Sequence, residues 1–336
     1  MKKVRVALIG AGYIGRLHAE ALRACDGVEI KVVCDRKEDV AKKFARKYKI
    51  PEACGVAMAL GERQDIDAVV LGVPNKYHAP YATWFLERGK DVFIEKPMAI
   101  SAAEGRDIMA ASRKSERLVM VGHMWRFDVE TQHIRDVVQS GRIGRIVKTR
   151  GYGIHENWGP SGWFVVADLA GGGALADMGV HAIDTIRYIL GDPKPRQVYA
   201  KIGTFYGDYD VDDTGTVVIT WEGDVTTVIE SGWWHPYVEG PEAASRIWGT
   251  RGYASLFPTT IKTVDGEKIQ ETTPRFPKRK EHCDHVMYAR QMEHFLDCIR
   301  NRKQPVPGAT EGQAVLEIVD AAYESARTGQ AVALAD

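Results

Sequence analysis

Apolar runs and amphipathic segments alternate regularly over the first third of the chain. Runs typical of buried strands occupy residues 4–9, 29–34, 68–73, 91–94 and 118–122. Between them, helical spacing of apolar positions covers residues 17–24, 38–47, 79–88 and 102–115. This alternation predicts a doubly wound α/β domain with a parallel sheet.

Beyond residue 122 the pattern changes to alternating apolar and polar positions, as in Thr214–Trp221. After a connecting helix over 128–139, this pattern predicts strands at 145–154, 196–203, 213–221, 225–234, 246–248, 253–257 and 261–264. Helical spacing returns at 285–300 and 310–328, which we interpret as scaffold. We therefore predict a first domain over 1–122 and a second over 123–336, an α+β domain with a mostly antiparallel sheet. One face of that sheet needs a cover, either helices or another subunit.

The first apolar run ends in a glycine-rich turn, Gly10-Ala11-Gly12-Tyr13-Ile14-Gly15, that leads into helical spacing. In this context GxGxxG is typical of a dinucleotide site, whose pyrophosphate lies at the helix N-terminus. Asp35 follows Gly15 by 20 residues, where a carboxylate accepts hydrogen bonds from the ribose hydroxyls of NAD. The neighbouring Arg36 is able to meet the 2′-phosphate of NADP. We assign the turn, including Tyr13 and Ile14, with Asp35 and Arg36 to an NAD site, and NADP is the less favoured alternative.

A later strand end also carries polar residues, and ligands of doubly wound sheets bind beyond such ends. Pro74-Asn75-Lys76-Tyr77-His78 follows the run at 68–73. We assign Pro74, Asn75 and His78 to the nicotinamide half of the cofactor. The alternative is a turn residue at Asn75 and a surface helix start at His78.

Glu95-Lys96-Pro97 follows the next apolar run. A lysine at this strand end lies where cofactor and substrate meet, and partial burial beside an oxidised nicotinamide favours its neutral amine. Lys96 is then able to take a proton from an alcohol. The alternative is a salt-bridged lysine in a loop. Glu95 and Lys96 are assigned to the cofactor site as well.

The segment Ala170–Arg187 runs from three glycines, Gly171–Gly173, into helical spacing. Asp177 and His181 stand four residues apart, which places both on one face of one helix. A histidine beside a carboxylate is a candidate proton donor or acceptor near neutral pH. The same spacing also occurs in solvated pairs and around buried structural histidines. The glycines would let the backbone approach a ligand at the start of the helix.

The bulk composition excludes several classes of partner. Across 336 residues, Lys plus Arg and Asp plus Glu number 45 each, so no net charge attracts nucleic acid or anionic lipid. No stretch approaches the ~20 apolar residues of a membrane span. Five scattered cysteines without CxxC spacing indicate reduced thiols and a cytoplasmic location. The cluster of His282, Cys283 and His285 lacks the second ligand pair of a structural zinc site, so no metal is predicted.

Four motifs, in their order and at their intervals, resemble the Gfo/Idh/MocA family (glucose-fructose oxidoreductase, inositol dehydrogenase, rhizopine catabolism). They are Gly10–Gly15 with His18, Pro74–His78, Glu95–Pro97 and Gly171–His181. The resemblance covers nearly the whole chain and implies an N-terminal Rossmann domain and a C-terminal domain with a large open antiparallel sheet. It implies that Lys96 acts with His181 in proton transfer, that Asp177 orients the substrate or the histidine, and that the Lys96-Pro97 peptide is cis. It also implies a homodimer or homotetramer formed through the C-terminal sheet.

Candidates for a substrate pocket around Lys96 and His181 are Trp125, Arg126, His155, Trp158 and Trp163. Aromatic faces stack on the C–H surfaces of sugar rings, and Arg and His supply hydrogen bonds to hydroxyls. Each aromatic residue alone is more often packed in a core or sheet, but together they favour a cyclic polyol. Trp233 and Trp234 are adjacent on a strand, so at most one of them reaches the site.

The sequence therefore predicts an NAD-dependent dehydrogenase that oxidises a hydroxyl of a sugar, sugar derivative or cyclitol. One alternative is an NAD-dependent glycosidase, in which the hydride is borrowed and returned. The other is a regulator that binds the dinucleotide without turning it over. Lys96, Asp177 and His181 argue against the regulator, because a binding module needs no positioned base.

Overall fold

The first third of the chain forms a six-stranded parallel sheet in the computed structural model, which describes residues 3–266, 268–277 and 285–334. The strands are Val4–Ile9 (β1), Val28–Cys34 (β2), Glu52–Cys54 (β3), Ala68–Leu71 (β4), Asp91–Ile94 (β5) and Val119–Val121 (β6). The helices between them are Tyr13–Ala24 (α1), Glu38–Tyr48 (α2), His78–Glu87 (α3) and Ala102–Ser115 (α4). The strand order β3-β2-β1-β4-β5-β6 reverses direction between β1 and β4, where doubly wound sheets bind their ligands. This confirms the predicted fold class, and only the short edge strand β3 was not predicted.

The second sheet has nine strands among the described residues. They are Ile146–Glu156 (β7), Pro195–Gly203 (β8), Thr214–Trp221 (β9), Thr226–His235 (β10), Ala243–Gly249 (β11), Gly252–Leu256 (β12), Thr260–Asp265 (β13), Lys268–Thr272 (β14) and Val332–Ala333 (β15). Their order is β14-β13-β12-β11-β7-β10-β9-β8-β15, and only the β7–β10 pair is parallel. The mostly antiparallel sheet was predicted, but β14 and β15 were not. The exposed β14 and the two-residue β15 lack the alternation that marked the other strands.

Helices pack on one face of this sheet because its strands alternate between buried and exposed positions. The remaining helices are Val129–Gln139 (α5), Ala167–Ala170 (α6), Val180–Ile189 (α7), His285–Asn301 (α8) and Ala309–Thr328 (α9). Val217, Ile219 and Trp221 of β9 are buried in one core with Ile183 and Ile186 of α7 and with apolar side chains of α9. Removing these side chains from water is the main stabilisation of this layer.

The described residues divide into two units. One contains the chain up to Phe127 together with His285–Gln313, and the other contains residues from Asp128 to 277 and from Ala314 onward. The sequence-based division at 122/123 instead placed α8 in the second domain. In the structure α8 packs against α1, and Arg300 donates hydrogen bonds to the carbonyls that follow α1, at Asp26 and Gly27. This return of the chain carries no local sequence signal.

In the part of the chain that is described, no helix combines the length and the hydrophobicity needed to cross a bilayer.

Candidate active site

The glycine turn after β1 has the geometry of a phosphate cradle. Gly10 has φ +106°, and a Cβ on Gly10 or Gly15 would overlap backbone, whereas a Cβ on Gly12 would meet nothing within 4 Å. Gly12 precedes α1 and supplies no side-chain cap to its amides. A helix N-terminus with open space above it suits a pyrophosphate group, so these residues fit a dinucleotide. Tyr13 is exposed at this turn, and a Cβ on Gly72 would come within 2.9 Å of Ile14 Cγ2.

Asp35 lies directly after β2, beside the glycine turn. Its Oδ2 accepts a hydrogen bond from the Ala11 amide at 3.1 Å, and its Oδ1 accepts one from the Lys37 amide at 2.9 Å. Arg36 is exposed. A half-buried carboxylate held next to the first glycines is placed as the ribose contact of a dinucleotide site requires.

His78 joins two strand ends. Its Nδ1 lies 2.8 Å from the Pro97 carbonyl oxygen, and its Nε2 lies 2.9 Å from that of Val73. The residue is fully buried, and burial lowers the pKa of its imidazole. His78 is therefore not a surface helix start, and both ring nitrogens serve the chain itself. Pro74 precedes a 3₁₀ turn, Asn75–Tyr77, in which Asn75 is buried.

Glu95 supports Lys96. One carboxylate oxygen of Glu95 lies 2.7 Å from Nε2 of the buried His18, and the other accepts the Lys96 backbone N–H at 3.1 Å. A Cβ on Gly122 would come within 3.0 Å of this carboxylate, so glycine leaves room for it. Lys96 is half-buried between the buried Glu95 and Pro97, and the Lys96-Pro97 peptide is cis as expected. The contact to His18 connects Lys96 to the helix that follows the dinucleotide turn.

In the second unit, Asp212 holds the start of the helix that carries Asp177. Its carboxylate accepts hydrogen bonds from the Gly173 amide at 2.8 Å, the Leu175 amide at 2.8 Å and the Tyr323 hydroxyl at 2.6 Å. Burial raises the pKa of Asp212 despite these three donors. A Cβ on Gly173 would overlap the Asp212 backbone, and one on Gly172 would overlap the Tyr323 hydroxyl. Two of the three glycines thus make room for contacts within the chain. The sequence analysis had expected the glycines only to let the backbone approach a ligand.

Asp177 and His181 lie on one unbroken helix, but Asp177 falls in a π-helical turn where the sequence pattern predicted regular α-helix. Asp177 is in a π-helical turn, Leu175–Gly179, and His181 is in the first turn of α7. Single π turns inside helices occur frequently at functional sites. The fully buried Trp233 donates its indole N–H to Asp177 Oδ2 at 3.2 Å. This bond fixes the direction of the carboxylate.

The proposed substrate contacts fall into three groups. His155 and Trp158 stack with ring centroids 3.5 Å apart, and both bind the Glu242 carboxylate. Trp163 stacks instead on Phe164 in a separate 3₁₀ turn. In the first unit, Trp125 and Arg126 are buried in the 3₁₀ turn Met124–Phe127.

Several residues of the site gave no sequence signal. Trp233 was weighed only against Trp234, which is 41% exposed with φ +62°. Asp212, Tyr323 and Glu242 are distant in sequence from the groups that they hold. For Asp212, the sequence shows only an acidic pair, Asp212-Asp213, directly before β9, and it does not show which groups this pair binds.

Within the described residues, no group of three or more His, Cys, Asp or Glu side chains is arranged to hold a metal ion. Of the weighed cluster, His282 and Cys283 lie outside the described residues, and only His285 belongs to them.

Comparisons with known proteins agree with this architecture. The model "Oxidoreductase family, NAD-binding Rossmann fold" matches residues 4–123, and "GFO/IDH/MocA C-terminal domain" matches residues 131–255. The D-glucoside 3-dehydrogenase of Escherichia coli (strain K12) is 28% identical over 348 residues, 98% of this chain and 97% of that protein. The scyllo-inositol 2-dehydrogenase (NAD(+)) of Bacillus subtilis (strain 168) is 26% identical over 343 residues, 99% of this chain and 96% of that protein.

A solved structure of levoglucosan dehydrogenase in complex with NADH has a TM-score of 0.90 and 22% identity, and the match covers 100% of both chains. At this identity the likeness shows the fold alone. The two family models together with the glycine turn, Glu95-Lys96-Pro97 and the helix of Asp177 establish that this chain belongs to the Gfo/Idh/MocA family of NAD-binding oxidoreductases.

Proposed function

We propose that the protein is an NAD-dependent dehydrogenase that oxidises a ring hydroxyl of a sugar, sugar derivative or cyclitol. The observation that carries this proposal is that neighbouring buried side chains hold the backbone of Lys96 in place. Its amide is bound by Glu95, and Glu95 is anchored on His18 of the dinucleotide helix. A base that must meet a cofactor and an alcohol needs such a rigid mounting.

The cofactor would be held by the glycine turn and by Asp35. The amides at the start of α1 would bind the pyrophosphate, and the Asp35 carboxylate would bind the ribose hydroxyls. Bound NAD⁺ supplies the acceptor for the hydride that leaves the substrate carbon. Asn75 and Lys96 would lie toward the nicotinamide.

Lys96 removes the proton of the hydroxyl that is oxidised. The residue is half-buried, and the chain fixes its backbone on both sides, through Glu95 and Pro97. His181 takes part in proton transfer, and Asp177 orients the substrate or the histidine. The bond from Trp233 gives Asp177 the fixed direction that this role needs.

A cyclic polyol is the substrate class that the second unit supports best. The Trp158 side chain is 45% exposed, and its stacking on His155 and its bond to Glu242 hold it rigid. An indole face fixed in this way suits the C–H surface of a sugar ring. Two relatives are named for a D-glucoside and for scyllo-inositol, both ring compounds with several hydroxyls.

We also infer that the chain self-associates through the sheet face opposite α7. There Val218 and Val228 pair across β9 and β10, and Tyr199 and Trp248 lie on the same face, half-exposed. Light scattering after size exclusion should give the mass of a dimer or tetramer, and Val218→Lys should lower it because it places a charge in the interface. A monomeric mass for the unmodified chain contradicts this inference.

The activity is tested by NADH appearance at mildly alkaline pH over a panel of inositols, aldoses, anhydrosugars and glycosides, with NAD and NADP in parallel. We expect a signal with NAD on one class of ring compound. Silence across the panel while calorimetry still detects NAD binding would contradict the dehydrogenase. Release of an aglycone without NADH would then identify the glycosidase.

A further inference from the structure

Two thiols lie side by side at the edge of the parallel sheet. Cys34 of β2 and Cys54 of β3 are direct partners in the strand register, so their side chains leave the sheet on the same face. The two thiols are therefore neighbours, and each shifts the pKa of the other. Cys34 is buried, and Cys54 is half-buried on an edge strand of only three residues.

The backbone of each cysteine supports the dinucleotide turn. The Gly10 amide donates a hydrogen bond to the Cys34 carbonyl at 2.7 Å, and the Asp35 amide donates one to the Cys54 carbonyl at 3.1 Å. Asp35 also follows Cys34 directly in the chain. A change in the spacing of β2 and β3 would therefore move Gly10 and Asp35, which we assign to the cofactor site.

The environments of the two thiols differ in the way that a nucleophile and its partner require. The pKa of Cys54 is lowered to about 7, chiefly by the neighbouring Cys34 thiol and also by the Val56 backbone and Arg63. The neighbouring Cys54 sulfur and burial raise the pKa of Cys34, which keeps its proton. Burial instead raises the pKa of Cys25 to about 11 and raises that of Cys298. The thiolate is the reactive form of cysteine.

We propose that Cys54 and Cys34 form a peroxide-sensitive thiol pair that controls the cofactor site. The Cys54 thiolate attacks one oxygen of hydrogen peroxide, breaks the O–O bond and becomes a sulfenic acid, while hydroxide leaves. The Cys34 sulfur then attacks the Cys54 sulfur, a disulfide forms, and water leaves with the Cys34 proton. Two thiols are oxidised by two electrons, and the peroxide is reduced to two waters.

The strand geometry permits this bond. Neighbouring strands lie about 4.8 Å apart, within the Cα separation of about 4.4–6.8 Å that disulfides span. The short edge strand β3 is able to shift to bring the sulfurs together. That shift moves the Cys54 carbonyl away from the Asp35 amide, so we expect the Kd for NAD to rise by about tenfold or more. This last step rests on the proposed function of Asp35, but formation of the disulfide does not.

The test is peptide mapping by mass spectrometry without reductant, on the full chain treated with hydrogen peroxide. We expect a Cys34–Cys54 linkage that dithiothreitol reverses. With limiting iodoacetamide at pH 7.5, we expect Cys54 to be alkylated before Cys25 and Cys298. Cys34→Ser should stop the treatment at a Cys54 sulfenic acid, which dimedone captures, and Cys25→Ser is the matched control that retains the linkage.

The readouts separate the possible failures. Absence of the linkage, or alkylation of Cys25 as fast as that of Cys54, overturns the proposal. If the linkage forms but the Kd for NAD measured by calorimetry is unchanged, the thiol pair does not control the cofactor site, and that part of the proposal is wrong. A reduced protein that forms the linkage but oxidises no substrate would refute the proposed function and leave the thiol pair in place.

Discussion

Lys96 illustrates how one residue of this protein depends on its neighbours. Glu95 binds the Lys96 amide with one oxygen and His18 with the other, and both Glu95 and His18 are buried. Buried polar groups that satisfy one another rigidify their surroundings. The side chain of Lys96 therefore starts from a fixed backbone.

Replacement of Lys96 by alanine should lower kcat by a factor on the order of 10² or more, since general-base catalysis typically supplies ~10²–10⁴. The Kd for NAD should change little, because the glycine turn and Asp35 carry the contacts that we assign to the pyrophosphate and ribose. Steady-state kinetics and calorimetry on the same preparation measure the two quantities.

Two further variants make that result interpretable. Lys42→Ala removes an exposed lysine that pairs with Glu38 and should leave kcat unchanged. Glu95→Gln keeps the shape of the support but weakens its charge-assisted bonds, so a smaller loss of kcat is expected. If Lys96→Ala weakened NAD binding as much as turnover, the lysine would be structural.

His294 provides a test of pH dependence. Its Nε2 accepts the Val306 amide at 3.2 Å, which requires the neutral ring, and burial lowers its pKa. As pH falls below about 6.5, the unfolded chain binds a proton here that the folded chain does not bind. The free energy of unfolding therefore loses this contribution between about pH 6.5 and the lower folded pKa.

The expected result is that His294→Gln is less sensitive to acid than the parent protein. Urea unfolding followed by tryptophan fluorescence at pH 7.5 and 5.5 should show a stability difference between the two proteins that shrinks at the lower pH. His78 and His235, whose pKa values are also lowered by burial, titrate in both proteins and cancel in the comparison. A difference that stayed constant with pH would show that His294 does not titrate with unfolding.

At the scale of elements, the turn that carries Asp177 depends on Asp212. Asp212→Asn would place an amide N–H₂ against the Gly173 or Leu175 amide, two donors facing each other. We expect the free energy of unfolding to fall by about 1–3 kcal/mol, the usual cost of an unsatisfied buried polar group. We also expect kcat to fall, because the π turn shifts.

Asp210→Asn is the matched control for this change. Asp210 is exposed and accepts a hydrogen bond from the Ala167 amide, so its replacement should alter stability by no more than about 0.5 kcal/mol. Urea titrations followed by circular dichroism compare the two variants. Equal stability of Asp212→Asn and the parent protein would show that the bonds from Asp212 to the Gly173 and Leu175 amides do not hold the turn.

The elements also show what sequence reasoning can and cannot reach. The parallel sheet with its glycine turn and the strands with alternating polarity depend on local backbone and periodicity, so the pattern predicted them. The hydrogen bond from the Gly173 amide to Asp212 joins residues 39 positions apart, and the contact of His18 with Glu95 joins residues 77 positions apart. Such contacts depend on tertiary packing, which a single sequence does not record. The π turn likewise follows from packing and not from spacing.

At the scale of the whole molecule, the order of the chain is not the order of the two units. Arg302 of the returning segment pairs with Asp91 at the start of β5, a contact across 211 positions. No composition change or linker marks that return, so the division of the chain at 122/123 followed the change of pattern alone. Family membership, by contrast, was predicted from four local motifs, and the matches over 4–123 and 131–255 confirm it.

In the proposed reaction, hydrogen moves from a ring carbon of the substrate to NAD. The most direct test uses the best substrate of the panel, deuterated at every carbon-bound position of the ring, with mass spectrometry of the NADH that forms. We expect NADH that carries one deuterium and a product oxidised at one carbon. NADH without deuterium, or cleavage of a glycoside with no accumulation of NADH, would contradict it.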